Sequence, residues 1–282
     1  MTQTPATLRI DIDKVLKSRA PKIYRFLPRF IISALERLIC QQQMNIMLEK
    51  NIGKEGAEFC RGVLEHLDIT YKIEGIENLP PVDDASGWRV IFAANHPLGG
   101  LDGMTLIDFL AAKAPSHDIR FIVNDLLMNI VPLQGVFLPV NTVSGKQTRE
   151  GAQEIDKVMR SYMPIAIFPA GLCSRLIDGR VQDMQWNKMF INKAIEYQRN
   201  IIPIYFKGLN SGFFYKFAKL RKISGIPVNL EMSLLPREVF KNRGAEFIIT
   251  IGKPIEWQSL KGGRHSIAEA REIREKVYSL RK

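Results

Sequence analysis

The chain has 282 residues, 40 of them Lys or Arg against 29 Asp or Glu, for a formal net charge of +11. That length suffices for one large domain with a full core, and the charge suits an acidic carrier protein or an anionic lipid surface. The charge is not laid out as a nucleic-acid footprint, with no zinc finger, recognition helix or RNA-binding aromatic signature, and no apolar run reaches the roughly 18–20 residues of a membrane span. The opening MTQTPATLRIDID lacks the regions of a signal peptide, and Cys40, Cys60 and Cys173 are few and unpatterned, which fits a reducing cytoplasm.

In chain order, residues 14–37 interleave Lys14, Lys17, Arg19, Lys22, Arg25 and Arg29 with large apolar side chains. Pro21 and Pro28 divide this segment, and the spacing of Ile31, Leu35, Leu38 and Ile39 predicts a helix from about Pro28. It reads equally as an interfacial helix in a headgroup layer or as a helix packed on the core. A helix over Gly56–Leu67 follows. Strands are expected at Tyr71–Glu74, Arg89–Ala94, Arg120–Val123, Val136–Val140, Ile165–Phe168, Ile202–Phe206, Leu230–Leu234 and Phe247–Ile251. Helices are expected at Leu101–Lys113, Arg149–Tyr162, Asn187–Tyr197 and Ser266–Leu280. This alternation predicts an α/β fold: a single domain with a central mixed, mostly parallel sheet flanked by helices. The division expected is an N-terminal helical, basic amphipathic, membrane-facing segment over 1–68 and the α/β domain over 69–282. Residues 213–223 (FFYKFAKLRKI) read as a second membrane-facing patch, a groove rim for acyl chains, or a half-buried amphipathic helix.

Two loops carry the chemistry. The first, Asn95–Gly103 (NHPLGGLDG), leaves the apolar run Val90–Ala94 and enters a helix. The strand delivers His96 to its tip and the helix start holds Asp102 nearby, which makes an imidazole oriented by a carboxylate, a general base. No serine or cysteine nucleophile stands at this elbow, so the proton removed belongs to a substrate hydroxyl. The second loop, Phe168–Arg175 (FPAGLCSR), also follows an apolar run and offers a hydroxyl and a guanidinium. Both loops lie at carboxyl ends of expected strands, where open α/β sheets place ligands. Cys173 reads as a small buried residue, and His66, His117 and His265 as structural or exposed. No His/Cys cluster has metal-ligand spacing.

Together these loops resemble the glycerolipid acyltransferase family, the lysophosphatidic-acid-acyltransferase-like enzymes. His96 and Asp102 match that family's His-x-x-x-x-Asp dyad, and Phe168-Pro169-Ala170-Gly171 with Ser174-Arg175 match its acceptor loop. Tyr71–Pro80, Lys188 and Phe190, Ile201–Ile204 and Ile251–Ile255 extend the similarity over roughly residues 70–257. Three departures stand out. Five residues separate His96 from Asp102 where the family has four. Ala170 replaces the acceptor-loop glutamate, and Leu172-Cys173 its Thr-Arg. Asn141 stands where the middle motif has an arginine for the acceptor phosphate. This pattern is closer to the haemolysin-like branch, which includes O-acyltransferases of ornithine and glycine lipids.

The resemblance implies a peripheral O-acyltransferase on the cytoplasmic face of the inner membrane. It would use acyl carrier protein or coenzyme A thioesters as donor, bind no cofactor or metal, contact a lyso-lipid and an anionic membrane surface, and bind no nucleic acid. His96 is the expected base and Asp102 its orienting partner. Backbone N–H groups near Gly99, Gly100 and Gly171 are expected to serve the oxyanion, and Asn95, Asn141, Ser174, Arg175 and Lys188 the acceptor. Lysophosphatidic acid acylation, hydrolysis by the same base, and a lipid-binding protein without catalysis are the competing expectations.

Overall fold

A computed structural model describes residues 9–19, 21–83, 88–140, 149–226 and 229–281. Among them the helices are α1 (Ile12–Arg19), α2 (Pro21–Tyr24), α3 (Arg29–Leu38), α4 (Gln41–Lys50), α5 (Gly56–His66), α6 (Leu101–Lys113), α7 (Arg149–Arg160), α8 (Met189–Glu196), α9 (Gly212–Ile223), α10 (Leu235–Lys241) and α11 (Ser266–Ser279). The strands are β1 (Thr70–Glu74), β2 (Val90–Ala94), β3 (Arg120–Asn124), β4 (Phe137–Val140), β5 (Ile165–Ile167), β6 (Arg175–Ile177), β7 (Arg180–Gln182), β8 (Asn200–Lys207) and β9 (Glu246–Ile251).

Seven strands form one sheet in the order β1-β9-β8-β2-β5-β3-β4. Strands β8, β2, β5, β3 and β4 are mutually parallel; β9 runs antiparallel to β8 and parallel to β1. The sheet is therefore mixed and mostly parallel. The carboxyl ends of β2, β5 and β8 open on one edge, and the two motif loops leave from it.

Strand β2 shows why the sheet has helices on both sides. All five of its residues are buried, because a parallel strand in the middle of a sheet is covered twice. Val90, Phe92 and Ala94 join one apolar cluster with side chains of α5 and α6, while Ile91 and Ala93 join another with side chains of α7, α8 and α11. The period of two along the strand sorts them. Met47 and Leu48 of α4, and Phe59, Cys60, Val63 and Leu64 of α5, lie in the first cluster, so the later part of the N-terminal segment shares the core of the sheet. Asp108 of α6 pins this layer, accepting from Arg61 of α5 at 3.0 Å and from the Tyr71 hydroxyl of β1 at 2.7 Å.

One expected strand is not one. Leu230–Leu234 is a 3-10 helix running directly into α10. The alternation of apolar and polar residues in LEMSL imitates a half-buried strand, but Pro236, in the first turn of α10, favours a helix start over a sheet. The β6–β7 hairpin was not expected either. Its turn is Asp178-Gly179, both at positive φ (49° and 77°), between paired Ile177 and Arg180; an Asp-Gly dipeptide is the sequence mark of such a turn. No described helix is long and apolar enough to cross a membrane.

Candidate active site

The site is built outward from the end of β2. Asn95 is buried, and its side chain continues the sheet: its Oδ1 accepts the Phe206 N–H at 2.6 Å and its Nδ2 donates to the Phe206 carbonyl at 3.0 Å. Asn95 is thus committed to β8 rather than turned toward an acceptor, and it fixes the direction in which the chain reaches His96. The turn that follows needs Gly99, at φ +77°, where an added Cβ would lie 2.9 Å from a Leu235 methyl and 3.1 Å from the Cys173 Cβ.

Asp102, fully buried in the first turn of α6, receives the imidazole. His96 Nδ1 lies 2.9 Å from Asp102 Oδ2. The same carboxylate accepts backbone N–H groups of Leu98 (2.8 Å), Gly99 (3.3 Å), Gly100 (3.0 Å) and Gly103 (2.9 Å). Burial pushes the Asp102 carboxyl up, but the imidazole and these N–H donors outweigh it and hold the group below the usual carboxylate range. An ionised carboxylate only accepts, so Nδ1 donates to Asp102, and in the neutral imidazole that leaves the lone pair on Nε2. The ring is stacked on Phe168, centroids 4.0 Å apart and planes 17° from parallel. The additional residue between His96 and Asp102 is accommodated in the glycine turn without separating the pair.

The N–H groups of the loop glycines are engaged within the two loops. The N–H groups of Gly99 and Gly100 point at Asp102, and that of Gly171 donates to the Phe168 carbonyl at 2.9 Å. Each of the three already has an acceptor, because the buried carboxylate and the tight turn claim them first.

The second loop is stitched to the first. Ser174 donates its N–H to the His96 carbonyl at 2.7 Å and its hydroxyl to Asp183 Oδ1 at 2.6 Å. Ser174 is buried, so its hydroxyl faces the interior rather than an open acceptor site. Asp183 also accepts the His96 backbone N–H at 3.2 Å and the Trp186 indole N–H at 2.9 Å. Helix α11 grips its main chain: the Asp183 N–H donates to the Tyr278 hydroxyl at 2.7 Å, and Arg274 donates to the Asp183 carbonyl at 2.6 Å. Burial pushes the Asp183 carboxyl up, opposed by hydrogen bonds from Ser174, Trp186 and His96. The sequence reading missed Asp183. Its trace there is slight, an acid three positions before a tryptophan whose indole N–H requires a partner when buried.

Cys173 is buried, and burial pushes its thiol up to about 11, which leaves little thiolate for nucleophilic attack. Arg175 donates to the Cys173 carbonyl (2.5 Å) and to Glu231 Oε1 (2.9 Å), and lies over the Phe214 ring at 5.5 Å. Glu231 is fully buried and also pairs with Arg221 at 2.7 Å, so two guanidinium groups share one carboxylate. Lys188 is exposed just before α8, close to the 168–175 loop because the adjacent Asn187 donates its N–H to the Pro169 carbonyl at 2.9 Å. Asn141 lies outside the described residues.

A family model described as Acyltransferase matches residues 14–282. The chain is 39% identical to the lyso-glycine lipid O-acyltransferase of Phocaeicola vulgatus over 271 residues, 96% of this chain and 95% of that protein. It is 37% identical to the lyso-glycine lipid O-acyltransferase of Bacteroides thetaiotaomicron, over 96% of this chain and 97% of that one. Among solved structures, the 1-acyl-sn-glycerophosphate (LPA) acyltransferase PlsC from Thermotoga maritima aligns with a TM-score of 0.45 at 16% identity, covering 89% of this chain and 92% of that chain. With its full α/β domain inside the matched span, the chain belongs to the acyltransferase family.

Proposed function

We propose that the chain transfers a fatty acyl group from a thioester to the hydroxyl of a lyso-lipid, with lyso-glycine lipid as the acceptor. The observation that carries this reading is the 39% and 37% identity, over nearly the full length, to two lyso-glycine lipid O-acyltransferases. The paired His96 and Asp102 supply a mechanism for it.

His96 Nε2 takes the proton of the acceptor hydroxyl as its oxygen attacks the thioester carbonyl carbon. Asp102 holds the Nδ1–H tautomer and stabilises the imidazolium. The tetrahedral intermediate then collapses, the C–S bond breaks, and the leaving sulfur takes the proton back from Nε2. The products are an ester and a free thiol on acyl carrier protein or coenzyme A. Ser174 acts by fixing the acceptor loop to His96, while Arg175 and Lys188 provide positive charge for an anionic head group.

The enzyme works at the cytoplasmic face of the inner membrane as a peripheral protein. Phe26 and Phe30 are 86% and 70% exposed among the outward cations Lys22, Arg25 and Arg29, a composition suited to an anionic headgroup layer.

The test is an acyl-transfer assay with acyl carrier protein and coenzyme A thioesters and a panel of lyso-glycine lipid, lyso-ornithine lipid and lysophosphatidic acid. Wild type should form the diacyl product from lyso-glycine lipid, and a folded His96→Ala variant should not. Preference for lysophosphatidic acid would overturn the head-group assignment, and undiminished transfer by His96→Ala would overturn the base.

A further inference from the structure

Helix α9 has two faces that make different demands. Phe214, Tyr215 and Ala218 are buried. Phe214 and Tyr215 pack in one cluster with Cys173 of the acceptor loop. The start of the helix is tied to the first loop as well. Asn210 donates to the Pro97 and Leu98 carbonyls at 3.3 Å each, and the Ser211 hydroxyl caps the helix by accepting the Phe214 N–H. The inner face of α9 is thus part of the wall behind the site.

The outer face is apolar and largely exposed, although Phe213 stacks on Phe217 (centroids 6.2 Å apart) and has Arg237 over its ring at 4.7 Å. Phe213 is 47%, Leu220 61% and Ile223 72% exposed. These positions lie at helical spacing i, i+7 and i+10, which gathers them on one side. Leu209 before the helix and Ile226 and Leu230 after it are also exposed. Lys216, Lys219 and Lys222 are exposed on the same helix, and its sequence GFFYKFAKLRKI contains no acid. Its remaining cation, Arg221, turns inward to Glu231.

We propose that the outer face of α9 is a docking surface for an anionic bilayer, seating Phe213, Leu220 and Ile223 among the acyl chains and Lys216 and Lys219, which flank that stripe, at the phosphates. A soluble partner of matching shape would account for the apolar stripe alone. An apolar stripe set among lysines, with no acid on the helix, matches the layered chemistry of an anionic membrane surface, apolar below and negative above. Because the opposite face of α9 packs on Cys173, docking there brings the acceptor loop to the lipid surface. A lyso-lipid then reaches His96 without leaving the bilayer. This inference rests on the acyltransferase reading for its purpose but not for its test.

The test is sedimentation with sucrose-loaded vesicles of phosphatidylethanolamine and phosphatidylglycerol, using full-length wild type and the triple variant Phe213→Glu, Leu220→Glu, Ile223→Glu. All three positions are exposed, so the fold is retained, which circular dichroism checks. Each outward lysine contributes roughly a fivefold preference for an anionic surface. The expected result is at least a tenfold loss of vesicle partitioning in the triple variant and a comparable weakening for wild type on pure phosphatidylcholine. Acylation of a monomeric, short-chain acceptor in solution should continue at the wild-type rate. Vesicle binding by the triple variant equal to wild type would overturn the surface, as would failure of wild type to bind. So would loss of binding to acyl carrier protein with vesicle binding intact, which would make α9 a protein dock. If no protein transfers acyl groups to any acceptor, the acyltransferase reading falls, and the sedimentation result still decides the surface.

Discussion

Asp183 accepts the backbone N–H of His96 at 3.2 Å, so His96 is held by two buried carboxylates, Asp102 at its ring and Asp183 at its main chain. The second carboxylate also takes the Ser174 hydroxyl and thereby joins the two loops. Asp183→Asn keeps the volume but turns an amide N–H₂ toward donors on one side. Displacements of about 1 Å at a reacting group lower rates by about 10²-fold. A fall in kcat of that order, with the thioester KM within about twofold, is expected in steady-state kinetics. A variant with wild-type kcat and only a lowered melting temperature would reduce Asp183 to a structural role.

Asp102→Asn removes the acceptor that sets the imidazole tautomer. By the logic of a carboxylate–histidine pair the rate should fall by about 10³–10⁴-fold. Initial-rate assays on variant protein of verified fold check this, and retention of more than a tenth of the activity would contradict the assigned pairing.

The same residue gives a pH dependence of stability. The Asp102 carboxyl in the folded chain sits below its ordinary value of 3.8. Its contribution is therefore complete above that value and disappears as pH falls through the lower folded one. Chemical denaturation of wild type and Asp102→Asn across this range should show the advantage of wild type shrinking below pH 3.8. A difference that stays constant with pH would rule out the depressed carboxyl.

Gly99 and Gly103 should respond oppositely to alanine. At Gly99 the positive φ and the contact with Leu235 oppose any Cβ, a loss of about 1–2 kcal/mol from conformation alone, with the catalytic turn displaced. Gly103 is helical and its added Cβ would meet Phe168 at an ordinary 3.5 Å. Gly103→Ala should be neutral or stabilise by up to about 1 kcal/mol. Thermal melts and activity of the two variants, side by side, decide this.

Arg199 is a structural counterpart to the site. It is fully buried, and its five N–H groups donate to the carbonyls of Val90, Val158, Met159, Ser161 and Met163. Burial pulls its pKa down to about 9. Arg199→Lys has three donors where five are used and leaves carbonyls unsatisfied at about 1–3 kcal/mol each. With two carbonyls losing their donor, a drop in unfolding free energy of about 2–6 kcal/mol, measured by urea titration, is expected.

Much of this architecture is legible in the sequence. Helix α6 runs over Leu101–Lys113 as its apolar pattern predicts, and β2 follows from a five-residue apolar run. The two loops meet because both leave carboxyl ends of parallel strands. Legibility fails where a contact is made by backbone or by a distant lone side chain. Periodicity does not reveal that Asn95 pairs with Phe206, or that Gly99 and Gly100 spend their N–H groups on Asp102. Nor does it link Asp183 to Tyr278. Helix α9 is half-buried, with Phe214 and Tyr215 buried on one face and Leu220 and Ile223 exposed on the other.

The edge strand β1 has consequences for the order of assembly. Its partner in the sheet is β9, with Thr70 beside Glu246, and the Lys72–Glu246 ion pair and the Asn78 hydrogen bond to Ile251 reinforce the same seam. As the chain leaves the ribosome, β1 waits with a bare edge while the parallel strands between it and β9 are made. The grip of Tyr278 and Arg274 on Asp183 comes later still. Such distant pairings make folding slow. His96 and its loop thus reach their final geometry only after helix α11 has been synthesised, and a nascent chain halted before it carries His96 without the clasp that holds it.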